Sequence, residues 1–387
     1  MATTETTTIG WGSRLGSSIK GIVTGLVLFV VGFPLLFWNE GNTIKTRKAL
    51  EEGEGACVSL ESNQTVDPAM NGKLVHVSGR AETEEVLSDA IFGVSDKAIR
   101  LERVVEMYQW REDSRTTEKK NVGGSVTQTT TYSYRQVWTD AVLDSSDYHE
   151  AGHDNPGVKE FENERQQAAF VSFGAFTLAP EQISRIGGAQ AFVFPQGYTC
   201  AVDRVTVQGN YIYVPNSETR LNEKNNRNVV AQPRIGDMRV SFRIVRPHDI
   251  SIVAVQNGDT FGAYVAKNGK KVSLLSDGVK SREEMFADAQ SANTFMCWIL
   301  RLVGFLLMLF GIKAVLKPIS VLGDVLPFVG DILEIGIGIV AFAIAAPCAL
   351  VTIAIAWLFY RPLVAIPLLV VAVAIIVWAR SKRKKKE

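Results

Sequence analysis

Cysteine and histidine are both scarce in this chain. It holds 4 of each among 387 residues, and the cysteines form no C-x-x-C pair and show no metal-ligand spacing. A structural zinc site built on thiolates is therefore not expected. Cys57 and Cys200 lie in the polar middle of the sequence, where an oxidising compartment would let them pair, and small buried apolar thiols are the alternative interpretation.

Net charge is nearly absent as well. The 41 Lys and Arg residues against 40 Asp and Glu leave a formal charge of +1, so nothing in the overall balance indicates a nucleic-acid partner. The apolar content of 47% is ordinary for a soluble protein, yet long apolar runs stand near both ends of the chain. The chain is therefore divided into apolar ends and a polar middle.

The first long apolar run covers residues 19–38. About 20 residues rising about 1.5 Å each can cross a hydrocarbon core of about 30 Å. A cleaved signal peptide is the alternative, but its apolar region is about 7 to 15 residues long and ends in small residues, whereas this run ends in Leu36-Phe37-Trp38. We expect an uncleaved membrane helix with Trp38 at the interface, preceded by a loose cytoplasmic tail, 1–18.

The last quarter of the chain is the most apolar part. We predict membrane helices at 295–316, 335–359 and 363–379, with an interfacial or re-entrant connector at 317–334. Pro318, Gly323 and Pro327 in the connector argue against one straight helix there.

A basic tail, 380–387, closes the chain and decides the predicted orientation. Its charges include Arg380, Lys382 and Arg383. The positive-inside bias places this tail in the cytoplasm, and four spans then place residues 39–294 on the extracytoplasmic side. A smaller basic cluster after the first span, at residues 45–48, argues for the opposite orientation, but the tail has more charges.

Strand patterns dominate residues 39–294. The predicted strands include 73–79, 104–110, 127–138, 211–214, 238–245 and 250–256. We expect 104–110 and 127–138 to form a long hairpin through the Gly123-Gly124 turn. The predicted fold class is four transmembrane helices plus a large β-rich α+β extracytoplasmic domain between helices 1 and 2.

Helical patterns are fewer in this region. They cover 159–170, 180–186 and 281–295. Ser281 and Glu284 have the spacing of a capping box, which predicts that the last of these helices leads directly into the second membrane span.

Several blocks, in order along most of the chain, together resemble the LUMA (transmembrane protein 43) family. They are Asn39-Glu40-Gly41, Leu74-Val75-His76-Val77-Ser78-Gly79, Val105-Glu106-Met107-Tyr108-Gln109-Trp110, Tyr132-Ser133-Tyr134 with Trp138, Gly236-Asp237-Met238-Arg239-Val240-Ser241-Phe242 and Trp357-Leu358-Phe359-Tyr360-Arg361-Pro362-Leu363. The resemblance implies a four-span scaffold of endoplasmic reticulum and inner nuclear membranes that binds other membrane proteins and itself, with no known enzymatic activity. The hydroxyl-rich segment 122–131 departs from what is expected of animal members and fits a bacterial or unicellular source. The expected location is the inner membrane for a bacterial protein, and the endoplasmic reticulum and inner nuclear membrane for a eukaryotic one.

One motif suggests metal chemistry. His149-Glu150-Ala151-Gly152-His153 has the H-E-x-x-H spacing in which two histidines one helical turn apart bind zinc and the glutamate activates water. Gly152 and the turn sequence that follows disfavour the helix that this chemistry requires. We expect loop residues, no metal and no cofactor, and keep His149 and His153 as candidate ligands of an alternative, a membrane-anchored zinc hydrolase.

Charged residues near the span ends complete the candidate sites. Arg301 and Lys313 can extend from the second span to the interface, and Arg361 lies in the turn after the third. With Trp38 and the basic tail, they form the predicted membrane and partner contacts.

The expected function is a non-enzymatic membrane scaffold without a catalytic site. Its expected partners are the lipid bilayer, other membrane proteins and, in a homo-oligomer, further copies of itself. A transporter or channel is the second alternative, because Asp324, Asp331 and Glu334 in the connector could line an ion path.

Overall fold

A computed structural model describes residues 2–217, 229–363 and 366–367. The chain divides into two compact units. The sheet unit comprises Met1–Glu5, Glu52–Arg115 and Thr130–Ala287, and the helix unit comprises Thr6–Glu51, Thr116–Thr129 and Asp288–Glu387.

Three long helices dominate the helix unit. In chain order the helices are α1 (Trp11–Ala56), the short α2 (Pro180–Ile183), α3 (Arg282–Gly323) and α4 (Pro327–Tyr360), and a 3₁₀ turn covers Pro68–Met70. Each long helix contains an apolar segment that is long enough to cross a membrane. Three of the predicted spans are thus helical, whereas the predicted fourth, 363–379, and the tail with Arg380, Lys382 and Arg383 lie outside the described residues apart from Leu363, Ile366 and Pro367.

The predicted connector at 317–334 is wrong in its extent. Helix α3 continues through Pro318 to Gly323, and α4 begins at Pro327. Proline removes one backbone donor from a helix, which a membrane helix can tolerate, and at the first position of α4 its fixed φ favours helix formation. The break between the two helices is therefore a tight turn around Asp324, whose backbone N–H donates to the Ser320 carbonyl at 3.0 Å.

Strands make up most of the sheet unit. They are β1 (Ala2–Ile9), β2 (Val58–Ser59), β3 (Leu74–Glu82), β4 (Val86–Asp89), β5 (Val94–Lys97), β6 (Arg100–Lys120), β7 (Val126–Thr139), β8 (Glu164–Gln167), β9 (Ser172–Phe173), β10 (Phe176–Thr177), β11 (Gln190–Ala191), β12 (Thr206–Gln208), β13 (Tyr211–Val214), β14 (Met238–Val245), β15 (His248–Asn257), β16 (Thr260–Gly262), β17 (Tyr264–Val265), β18 (Lys271–Val272) and β19 (Leu274–Asp277). The larger sheet has the order β1-β7-β6-β14-β13-β12, and a second has the order β10-β9-β3-β15-β16.

The predicted hairpin is confirmed and is longer than expected. Strands β6 and β7 are neighbours in the larger sheet. Gly123 and Gly124 lie in the turn with φ of 90° and 80°, a conformation that costs glycine little because it has no Cβ.

The start of the chain differs from the prediction. Residues 2–9 form β1 beside β7, and α1 begins at Trp11 instead of Ile19, so the expected loose tail is wrong. This Thr-rich segment has no apolar periodicity of its own, so only the neighbouring strand makes it extended.

One predicted helix of the middle region is also wrong. Residues 159–170 contain β8, which pairs with β6 in the register Leu101 opposite Gln166. The ammonium of Lys159 donates to the carbonyls of Asp140 at 2.8 Å and Val105 at 3.2 Å, so long-range contacts override the local pattern. Helix α2 covers only part of the predicted 180–186.

The predicted capping box before α3 is confirmed. The Ser281 backbone N–H and hydroxyl each donate to Glu284 at 2.8 Å, and the Glu284 N–H donates to the Ser281 hydroxyl at 3.2 Å. These bonds satisfy free N–H groups of the first turn.

Two apolar clusters form the core of the sheet unit. Val77, Phe173 and Ile252 belong to one, and Phe92 and Phe242 belong to the other. Cys57 is buried, and both it and Cys200 are free thiols.

Candidate functional site: buried acids of the helix unit

Glu40 of α1 is fully buried, with 0% of its surface exposed. From α3, Arg301 donates to both of its oxygens, Nε to Oε1 at 2.5 Å and Nη2 to Oε2 at 2.9 Å. From α4, the indole N–H of Trp357 donates to Oε2 at 2.8 Å. This carboxylate therefore connects all three long helices by hydrogen bonds that its charge strengthens.

The residues on either side of Glu40 fit the same contact. The Asn39 amide donates to the Cys297 carbonyl at 3.1 Å. A Cβ on Gly41 would lie 2.5 Å from the Tyr360 ring, so this position needs a glycine. Two blocks that carry the family resemblance, 39–41 and 357–363, thus meet in one place.

This arrangement limits the chemistry that Glu40 can perform. Its two oxygens already accept from Arg301 and Trp357, and the Arg301 guanidinium lies 4.7 Å from the centre of the Trp298 ring. A carboxylate so occupied is poorly placed to accept a proton from a substrate or to bind a passing ion. The geometry is that of a fixed connection between helices.

Asp324, in the turn between α3 and α4, is also buried, with a side chain 1% exposed. Arg14 of α1 donates to its Oδ2, and the Lys120 ammonium lies 3.0 Å from Oδ1. Lys120 also lies 2.9 Å from Asp331 and 3.1 Å from Glu334. The three acids considered for an ion path are therefore held by Lys120, with Arg14 as a second partner of Asp324.

The pKa of Lys120 reflects this environment. Burial lowers the pKa, but the hydrogen bonds to Asp331, Asp324 and Glu334 outweigh burial and raise it above its ordinary value. Lys120 therefore remains charged at any physiological pH.

The hairpin turn contacts the first turns of α1. Arg14 donates to the Gly124 carbonyl at 2.6 Å, and a Cβ on Gly124 would lie 2.3 Å from the Trp11 ring. The predicted boundaries place residues 1–18 and 39–294 on opposite sides of the membrane. Trp11 and Gly124 are in contact and therefore lie on the same side of the membrane. The two predicted boundaries, which place them on opposite sides, cannot both be correct for these residues.

The predicted membrane and partner residues are placed as follows. Arg301 is part of the Glu40 network, and the Arg361 guanidinium lies 5.7 Å from the centre of the Trp357 ring. Trp38 is exposed, and Lys313 lines a cavity of the helix unit. Sequence reasoning missed Glu40 and Lys120, although Glu40 stands in the Asn39-Glu40-Gly41 block.

The H-E-x-x-H segment does not form the expected zinc-binding helix. Residues 149–150 form a bend and 151–152 a turn, and His153 lies in no regular element. The His149 ring stacks on Tyr132 at 4.1 Å between ring centres, and His153 stacks on Tyr134 at 3.8 Å. Burial and the hydrogen bond to Glu112 raise the pKa of Tyr134 to about 12. Throughout the described part of the chain, no three His, Cys, Asp or Glu side chains are grouped so that they could hold a metal ion.

Comparison with known proteins identifies the family. The model of a family described as Transmembrane protein 43 matches residues 107–362. The chain belongs to the transmembrane protein 43 family. The family resemblance noted in the sequence is therefore confirmed. The matched range of this chain includes Lys120, Arg301 and Trp357.

Curated relatives cover nearly the whole chain. Transmembrane protein 43 of Mus musculus is 34% identical over 389 residues, which cover 98% of this chain and 94% of the relative. The Homo sapiens protein is 33% identical with the same coverage, and a Drosophila melanogaster homolog is 27% identical over 92% of each chain. No solved structure matches this chain.

Proposed function

We propose that this member of the transmembrane protein 43 family is a non-enzymatic scaffold that organises membrane protein complexes through its sheet unit and its helix bundle. The family and the three apolar helices make it an integral membrane protein. The observation that carries the scaffold proposal is the Glu40 network, which fixes α1, α3 and α4 to one another. A fixed bundle suits a protein that holds partners better than one whose spans must move to transport a solute.

The orientation that we propose follows the basic residues of the helix unit. Arg14, Lys20, Lys313 and Lys317 stand at the end of the bundle where α1 begins and α3 ends. The positive-inside bias favours the cytoplasm for this end, and a fourth span at 363–379 would return the basic tail to the same side. We propose that this membrane is the endoplasmic reticulum membrane and the inner nuclear membrane in a eukaryote, or the inner membrane in a bacterium.

Exposed aromatic side chains offer positions at which to detect partners. Phe170 of the sheet unit and Phe342 of α4 are 54% and 57% exposed. A photocrosslinking phenylalanine analogue at either position retains an aromatic ring. Phe310 of α3, 54% exposed, is a second membrane position for comparison.

The experiment illuminates native membranes that contain each variant and identifies the adducts by mass spectrometry. We expect protein adducts at Phe170 and at one of the two membrane positions, either with other membrane proteins or with a second copy. Lipid and intramolecular adducts alone at all three positions, together with a monomeric mass in native nanodiscs, would refute the scaffold proposal.

A further inference from the structure

A cavity of about 470 Å³ lies in the helix unit where α1 begins and α3 ends. Its charged lining consists of Arg14, Lys120, Lys313 and Lys317 and of the acids Glu118, Asp324 and Glu334. Ser17 and Ser320 add hydroxyl groups, and Ala314, Val321 and Ile337 add apolar surface. The cavity thus combines basic, polar and apolar walls.

The acids of this cavity already have partners. Asp324 binds Arg14 and Lys120, and Glu334 lies 3.1 Å from Lys120. The Glu118 carboxylate accepts from the Gln128 amide at 2.6 Å. The cationic groups of Arg14 and Lys120 are therefore largely neutralised from within the protein.

Lys313 and Lys317 differ from these two. Neither forms an ion pair with any carboxylate of the described residues. They stand four positions apart on α3, so they share one helix face, and both line the cavity. Two lysines without a carboxylate partner therefore line one partly open cavity.

We propose that this cavity binds the phosphate headgroup of an anionic phospholipid. Lys313 and Lys317 would bind the phosphate oxygens, and the Ser320 hydroxyl can donate to the same oxygens. The cavity lies at the end of two membrane helices, and the neighbouring Ile319 and Leu322 of α3 are 49% and 53% exposed. This apolar surface is where the acyl chains would lie, and it favours a lipid over free phosphate.

The expected contribution of each lysine follows from its charge. A basic residue near an anionic membrane surface contributes about 1 kcal/mol, which is about a fivefold change in affinity, so loss of both lysines weakens binding about 25-fold. Lys20 and Lys48 are exposed and do not line the cavity, so Lys20→Gln with Lys48→Gln is a double variant of equal charge.

The test uses the full chain in nanodiscs of phosphatidylcholine with or without phosphatidylglycerol. Thermal unfolding, followed by tryptophan fluorescence, reports the stabilisation that bound lipid provides. We expect phosphatidylglycerol to raise the Tm of the wild type and of the Lys20→Gln/Lys48→Gln control. The Lys313→Gln/Lys317→Gln variant should need about 25 times more phosphatidylglycerol for the same shift.

Two further arms separate the alternatives. Ser17→Phe keeps every charge but adds bulk to the cavity from an exposed position of α1, so it should also abolish the shift, and an equal Tm of all variants in phosphatidylcholine alone shows that they are folded. Equal losses in both lysine variants, or a full shift in Ser17→Phe, would overturn the proposal. Stabilisation by inorganic phosphate that depends on Lys313 and Lys317 would overturn lipid as the source of the phosphate.

Discussion

Glu40→Ala is the substitution that most directly tests the helix unit. It removes the acceptor of two Arg301 donors and of the Trp357 indole, and it leaves the Arg301 charge without a carboxylate. Removing one partner of a buried ion pair costs about 3 to 5 kcal/mol. The Arg301 side chain is 15% exposed and can extend toward the interface, so we expect the lower end, about 3 kcal/mol.

Thermal unfolding in detergent micelles measures this loss. At about 2 to 4 °C per kcal/mol, the Tm should fall by about 6 to 12 °C. Glu51→Ala is the matched control, because Glu51 lies in the same helix and pairs with Arg47 at 2.7 Å while both side chains are about half exposed. Exposed pairs of this kind contribute about 0.3 to 0.5 kcal/mol, so the control should change the Tm by at most about 2 °C.

A second substitution distinguishes the lost ion pair from general damage to the packing. Arg301→Met in the Glu40→Ala background removes the unpaired charge and keeps a long apolar side chain, so part of the lost stability should return. The reasoning is refuted if Glu40→Ala and Glu51→Ala unfold within about 1 °C of each other, or if Arg301→Met lowers the Tm further.

Three more predictions concern separate parts of the molecule. In a background without native cysteines, Ser13→Cys and Val122→Cys should react with a membrane-impermeant maleimide added on the same side of the membrane. Lys48→Cys should react only when the reagent is added on the opposite side. Labelling of Val122→Cys from the same side as Lys48→Cys would contradict the contact between the hairpin turn and α1. Gly41→Ala should lower the free energy of unfolding by about 1 to 3 kcal/mol, because the added Cβ meets the Tyr360 ring. Gly21→Ala should not lower it, because the added Cβ at that position has no atom within 4 Å. Burial, only partly offset by Arg282, raises the pKa of the Cys57 thiol from 9.0 to about 11. The protonated thiol therefore stabilises the fold fully below pH 9, and this contribution of about 3 kcal/mol is lost as the pH rises through 11. The stability difference between the wild type and Cys57→Ala should shrink over that pH interval, and a constant difference would contradict the shift.

Local sequence patterns predicted the elements whose structure depends mainly on residues near them in the chain. Apolar length identified three membrane helices, and strand alternation with Gly123-Gly124 identified the hairpin. The Glu40 network escaped prediction because its partners stand 261 and 317 positions away, and a carboxylate just after an apolar run is ordinary at an interface. Residues 2–9 and 164–167 likewise become strands only through distant neighbours, β7 and β6.

The two buried acids lie near opposite ends of the bundle. Arg14, which binds Asp324, and Glu40 are 26 positions apart on α1, which corresponds to about 39 Å along the helix. That distance is close to the about 40 to 45 Å thickness of a bilayer with its headgroups, so both acids can lie at interfacial depth, where burying a charge costs less than at the centre.

Between these two ends the helices pack through small residues. A Cβ on Gly25 would lie 2.6 Å from the Gly311 carbonyl, so α1 and α3 approach as closely as glycines allow. Such contacts let α1 and α3 approach closely, but they are compatible with many neighbouring registers of one helix along the other. The pairs Glu40–Arg301 and Asp324–Arg14 each select one register. A variant that breaks only the Glu40 end should therefore lower stability and leave phosphatidylglycerol binding at Lys313 and Lys317 intact, and joint loss of both would show that the two ends do not act separately.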